Sequence, residues 1–135
     1  MSVEYAESAD GVEADDLTGG FFVGWPQPPS PERHLEMLRG SSHVVLARAD
    51  GRVIGFVTAI SDGVLSAYIP LLEVLPAYQG QGIGGELVRR LLAQLEGLYM
   101  VDLCCDAELE RFYHRLGLLT LDRGMGRRNY EALRP

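Results

Sequence analysis

Between an apolar run ending at Pro76 and an amphipathic helix lies Gln79-Gly80-Gln81-Gly82-Ile83-Gly84-Gly85. Four glycines in so short a stretch leave the backbone bare, so its N–H groups can close around something large and anionic. A helix that starts among the glycines adds its own unpaired N–H groups and the positive end of its dipole. A fold for this chain must therefore bring a strand end, the loop and a helix N-terminus together, with a phosphate-bearing ligand as the natural occupant. A plain turn needs fewer glycines, because each one adds unfolded-state entropy that folding must remove.

Two familiar phosphate grips fail on the surroundings of the loop. Gly80-x-Gly82-x-x-Gly85 satisfies the dinucleotide fingerprint, and Asp102 follows about 20 residues on. That fold begins near its fingerprint, yet 79 residues precede this one and only 50 follow, too few to complete a doubly wound sheet. Pro76-Ala77-Tyr78-Gln79 also separates the strand from the glycines, where a tight strand-to-helix turn needs them adjacent. The nucleoside-triphosphate P-loop needs a lysine after its last glycine, and the chain has no lysine.

Turn and cap residues divide the rest of the chain, which at 135 residues is read as one domain over 1–135. Ser30-Pro31-Glu32-Arg33 reads as a cap and first turn after a proline-rich loop, with a helix running to Gly40. Strands are expected over 43–49 and 52–60 around an Asp50-Gly51 hairpin turn, and as one long strand over 64–75. Leu87, Val88, Leu91, Leu92 and Leu95 form one face of a helix over 84–96 that Gly97 stops. A buried strand is expected over 99–105, then a helix capped by Asp106 with Leu109, Phe112, Tyr113 and Leu116 on its apolar stripe. The tail, 118–133, is compatible with two short strands. The fold class is mixed α/β with an antiparallel front half.

Charge limits the partners. A net charge of −7 argues against a nucleic-acid surface. Residues 1–83 hold 11 carboxylates and four arginines, whereas residues 84–135 are balanced. The acidic half fits either a cationic partner or a solvated N-terminal segment. No apolar run approaches the roughly 20 residues of a membrane span. The acidic start lacks a signal-peptide pattern, so a cytoplasmic protein is expected. His34, His43 and His114 are scattered without ligand spacing, so no metal is expected. Cys104 and Cys105, in an apolar setting, read as buried free thiols.

Val74-Leu75-Pro76-Ala77-Tyr78-Gln79-Gly80-Gln81-Gly82-Ile83-Gly84 resembles the signature of the GNAT superfamily of acetyl-CoA-dependent N-acetyltransferases. There a valine–x–proline strand end leads to Q/R-x-x-G-x-G/A, met here by Gln79, Gly82 and Gly84. Phe112-Tyr113-His114-Arg115-Leu116-Gly117-Leu118 is similar to the family's tyrosine-bearing helix and its exit. The resemblance covers about residues 42–130. It implies a central, mostly antiparallel sheet splayed at the cofactor site and flanked by helices. It also implies acetyl-CoA as co-substrate, and an amine acceptor such as a small amine or a peptide. Members are often dimers, so a homodimer is admitted; a non-catalytic acyl-CoA-binding or sensing domain on the same fold is the alternative.

The resemblance also implies roles. Gln79, Gly80, Gln81, Gly82, Ile83, Gly84 and Gly85 would grip the pyrophosphate. Pantetheine would pair with Leu72 to Val74 as a pseudo-strand, and an N–H near Val74 would polarise the thioester carbonyl. Tyr113, otherwise a core aromatic, would be the acid. Glu73, a carboxylate in an apolar strand, is either the base or an exposed strand position, and Asp62 is a second candidate. Asp106 stands where the family commonly has Asn. Phe21 to Trp25 either lean over the acceptor pocket or pack in the core. A covalent cysteine intermediate is not expected.

Overall fold

Turn chemistry sets most boundaries where the residues predict them. In the computed structural model, which describes residues 2–133, Ser30 Oγ accepts the Arg33 N–H at 3.2 Å and Pro31 opens helix α1 (Pro31–Gly40). Asp50 and Gly51, at φ of 53° and 74°, form the tight turn joining β2 (His43–Ala49) to β3 (Arg52–Ser61). Helix α2 (Ile83–Gln94) buries Leu87, Val88 and Leu91.

The acidic N-terminal segment is ordered, with Glu4, Glu7, Asp10, Glu13 and Asp15 exposed to solvent as a solvated segment requires. It forms β1 (Glu4–Ala6), antiparallel to β2 with Tyr5 opposite Ala47, and a short 3-10 turn over Ala14–Leu17. Val12 and Leu17 are buried, and Asp16 stands 3.7 Å from Arg48. The β1 pairing, these two buried side chains and the partly buried Val3, Tyr5 and Ala9 hold the segment down.

Strand β3 is the centre of the molecule, with seven consecutive buried residues from Val53 to Ala59. Both of its faces are covered, which a run of buried residues broken by a single polar one, Thr58, requires. Helix α2 lies on one face, so close that a Cβ on Gly55 would stand 3.2 Å from Leu87 Cδ1. On the other, Phe56 meets Phe21, Phe22 and His34 with ring centroids 4.4–6.1 Å apart.

The expected single strand over 64–75 is divided. Its halves, β4 (Ser66–Tyr68) and β5 (Leu72–Val74), both pair antiparallel with β3, as Ile60↔Tyr68 and Val57↔Leu72. The register slips by one residue between them, which is a bulge, and Pro70 sits in it. On its far side β4 pairs in parallel with β6 (Met100–Asp102). The Ile69 N–H reaches the Asp102 carbonyl at 2.9 Å, and Pro70 has no N–H to continue the ladder. Strand β5 stays with β3 and not with β6, so the six-stranded sheet splays there.

Three further expectations are corrected, the first of them by the opening. The strand expected over 99–105 is only three residues long, because Leu103 onward has no neighbour to pair with; Tyr99 is exposed rather than buried. Helix α3 (Glu110–Arg115) is preceded by a 3-10 turn over Ala107–Leu109, and Asp106 holds the cap position through its carbonyl, not its side chain. Among the described residues the tail contains no strand, only a 3-10 turn at Tyr130–Leu133. Arg123, Gly124, Gly126, Arg127 and Arg128 leave it no alternating apolar face. No helix among the described residues is long and apolar enough to cross a membrane.

His34 is 1% exposed, its Nε2 has no hydrogen-bond partner, and burial pushes its pKa down to about 4. The folded state resists protonation there while an unfolded imidazole accepts a proton near pH 6.5. Stability therefore falls as pH drops from about 6.5 towards 4, by up to about 1.4 kcal/mol per pH unit from this group. Urea melts across that window will show a shallower acid loss in His34→Phe than in the parent chain.

Candidate active site

The splay opens a cleft of about 580 Å³. One wall is the bulge and β5, from Ile69 to Pro76, under a loop that contributes Gly20, Val23 and Trp25. The other wall runs from Cys104 through Leu109 to Tyr113. Of the predicted site residues, Leu72, Glu73, Val74, Gln79 and Tyr113 all line this one cleft. Gly80 to Gly85 follow Gln79 beyond its lining, and Gly84 touches the same region, with its Cβ direction 3.6 Å from Phe112 and 3.8 Å from Val74.

The free edge of β5 has a definite polarity. The Leu75 N–H donates to the Ile54 carbonyl at 2.8 Å, and the Leu71 carbonyl accepts from Thr58 at 3.1 Å. Alternate residues of an antiparallel strand bond the same neighbour, so the N–H and C=O groups of Leu72 and Val74 point away from β3, into the cleft. The Val74 carbonyl accepts Gln79 Nε2 at 2.9 Å, which ties the start of the glycine loop to this edge.

The loop itself meets the helix as its residues predict. Gly82 is the N-cap of α2 at φ 84°, a conformation that strains any residue with a Cβ, and no side chain caps the helix. The first N–H groups of α2 are thus left for solvent or a ligand. Tyr78 pins the turn before the loop, its hydroxyl donating to Asp50 Oδ2 at 2.6 Å. Arg89 was not singled out by the sequence; its guanidinium lies over Gly85, 3.4 Å from the Cβ direction, and holds Glu86 at 3.3 Å. Its spacing of three from the acid in the first turn is the signal that could have found it.

Glu73 is half-buried, so it is not an exposed strand position. Its Oε1 accepts the Phe22 N–H at 2.8 Å, and burial raises its pKa despite that bond. Phe22 takes φ 65°, rare for a residue with a side chain, while its ring is buried against His34 and Phe56. The 20–25 loop therefore does both things its sequence allows: Phe21 and Phe22 fill the core, and Val23 and Trp25 roof the cleft.

Tyr113 is 8% exposed, and its hydroxyl is pushed up to about 12 by burial, with the Cys105 thiol adding to the shift. Cys104 and Cys105 are exposed on the cleft wall, a correction to the expected burial that follows from the strand ending at Asp102. Cys105 is held above the usual thiol range by partial desolvation and the carboxylates of Glu110 and Asp106, which keeps it protonated and a poor nucleophile. Asp62 is outside the cleft. Its Oδ1 accepts the N–H groups of Val64, Leu65 and Ser66, which lower its pKa and make it a turn cap rather than a base.

Residues 13–118 match the model of the Acetyltransferase (GNAT) family. A putative acetyltransferase from Deinococcus radiodurans R1 superposes with a TM-score of 0.90 at 48% identity, over 96% of this chain and 90% of that one. Two proteins of Glycine max are also similar. The Histone acetyltransferase TAP1 is 32% identical over 108 residues, and the Probable acetyltransferase TAP2 is 30% identical over 124. These matches take in 70% and 82% of this chain but 46% and 49% of theirs, so the chain spans about half the length of those curated relatives.

Proposed function

Because the chain belongs to the GNAT family of acetyltransferases, we propose that it moves the acetyl group of acetyl-CoA directly to an amine, small or peptide-borne, within a ternary complex. The observation that carries this reading is the unpaired edge of β5 running into the glycine loop. A pantetheine arm laid along Leu72 to Val74 finds outward N–H and C=O groups, as an added strand would. The Val74 carbonyl has a second lone pair beside its bond to Gln79. The pyrophosphate falls at Gly80 to Gly85, on the open N–H groups of α2, with Arg89 adding charge in a chain that has no lysine.

Bound there, acetyl-CoA supplies an activated acetyl group; the chain's residues handle protons and position. The acceptor enters beneath the 20–25 loop and meets Glu73, whose Oε2 takes a proton from the ammonium. An outward N–H of β5 at Leu72 or Val74 polarises the carbonyl. As the C–N bond forms and the C–S bond breaks, the amine's second proton reaches the sulfur, to which Tyr113 donates a hydrogen bond.

Thermal melts test the donor site. Acetyl-CoA at roughly 100 times its Kd stabilises the fold by about 2.7 kcal/mol, and NAD gives no comparable shift. In Gly82→Val the backbone strain and the new side chain, which projects where the phosphates would lie, shrink the acetyl-CoA shift at least tenfold in apparent affinity. A parent chain whose melt ignores acetyl-CoA overturns the reading. Thiol release on adding an amine separates a transferase from a sensing domain.

A further inference from the structure

We propose that the acceptor is a primary amine bearing one apolar group, aryl or long alkyl, and no second charge, selected by Val23 and Trp25; this rests on the transferase reading above. The acidic half of the chain predicts a cationic partner, but the fold puts those carboxylates elsewhere. Glu7 and Asp10 border a separate cavity of about 560 Å³ beside the start of β2. Asp16 faces Arg48, and Asp62 closes its own turn. Two carboxylates line the cleft: Asp106, on the α3 wall, and Glu73, which stands alone under the loop.

The loop and the bulge bring apolar groups to the Glu73 side of the cleft. Val23 and Trp25 hang from the loop at 71% and 37% exposure, and Ile69, Pro70 and Leu71 lie on the same wall. The polar groups Cys104, Cys105, Asp106 and Tyr113 stand on the α3 wall. The Trp25 ring stands 5.0 Å from Phe22, edge to face, and the Phe22 N–H is bonded to Glu73 itself. The indole is thus held at a set position relative to the carboxylate that receives the ammonium. An aryl or alkyl group next to that ammonium would cover the exposed indole, Val23 and the proline of the bulge. A second ammonium under the loop would lose its hydration against Val23 and Trp25, with Glu73 committed to the first and the other carboxylate of the cleft, Asp106, on the α3 wall. The polyamine and aminoglycoside-like acceptors that the chain's overall charge allows are disfavoured by this lining.

The test measures kcat/KM for thiol release from acetyl-CoA with 2-phenylethylamine, putrescine, ethanolamine and a short peptide with a free N-terminal alanine. 2-Phenylethylamine is expected to exceed putrescine at least 100-fold and the other two at least tenfold. Trp25→Ala, at a partly exposed site that leaves the fold intact by its melting curve, cuts the aryl-over-diamine preference at least tenfold. Val23→Glu gives a second ammonium a partner and raises kcat/KM for putrescine at least tenfold. Preference for putrescine, ethanolamine or the peptide overturns the inference and leaves the transferase standing, as does an aryl preference that neither variant moves. Thiol release with none of the four overturns the inference, whereas a melt that ignores acetyl-CoA overturns the transferase reading and this inference with it.

Discussion

Tyr113→Phe lowers kcat for amine acetylation by about 10²–10³-fold, with KM for acetyl-CoA and the melting temperature changed little. Phenylalanine keeps the ring that α3 buries and removes only the hydroxyl. With its pKa pushed up to about 12, that hydroxyl stays protonated at any working pH. Burial that disfavours the phenolate favours donating a hydrogen bond over releasing the proton outright. The contribution we propose for the hydroxyl is a hydrogen bond to a sulfur that gains charge only as the C–S bond breaks. Such a bond strengthens in the transition state more than in the ground state, so its loss falls on kcat rather than on binding. Single-turnover CoA release, measured with acetyl-CoA saturating, checks the split. An unchanged kcat would make Tyr113 a packing residue, which its place on the apolar stripe of α3 also allows.

The residues made some parts of this molecule legible and hid others for identifiable reasons. Ser30-Pro31 and Asp50-Gly51 act locally, through a side-chain cap and a positive-φ turn, so α1 and the β2–β3 hairpin begin where the sequence predicts. The glycine loop and α2 are legible for the same reason, since glycines followed by a leucine stripe have few other uses. What is set by pairing between distant segments is not legible. The long apolar run over 64–75 contains Pro70, which marks a bulge or an edge, yet only the register against β3 shows where the strand shifts. The exposure of Cys104 and Cys105 follows from that shift, because the splay leaves the chain after Asp102 unpaired. Apolar neighbours in sequence predicted burial and could not report an absent neighbour in space.

The same division runs through the site. Leu72, Val74, Gln79 and Tyr113 meet in one cleft, as the two motifs imply, because each motif fixes its own element and the splay brings the two together. Glu73 stayed ambiguous because its partner, Phe22, is 51 residues away and is held in a backbone conformation that composition does not signal. Net charge alone names no acceptor, for a related reason. Charge summed over a half-chain steers encounter at long range, whereas specificity is set by the few groups that lose water against the ligand.

Glu73→Gln removes the proposed base while leaving the loop in place, and kcat/KM is expected to fall by about 10²–10⁴-fold. The amide oxygen can still accept the Phe22 N–H, so the variant separates proton transfer from loop position. The sign of the pH dependence follows from the burial that raises the Glu73 pKa. Only the carboxylate accepts a proton, so in the parent chain kcat/KM rises with pH through a value above the ordinary carboxylate range. In Glu73→Gln that acidic limb disappears, and activity follows the amine's own ionisation. In water a glutamate near 4.3 and an amine near 10.4 leave a gap of about 6 pKa units, or about 8 kcal/mol, against transfer. Desolvation in the cleft narrows the gap from both sides, raising the carboxylate and lowering the ammonium. Apolar groups on the Glu73 side of the cleft therefore serve the proton transfer as well as acceptor choice, and Trp25→Ala should shift the acidic limb back towards ordinary carboxylate values. A Glu73→Gln variant that retains full activity and the parent pH profile would assign the proton transfer to solvent instead.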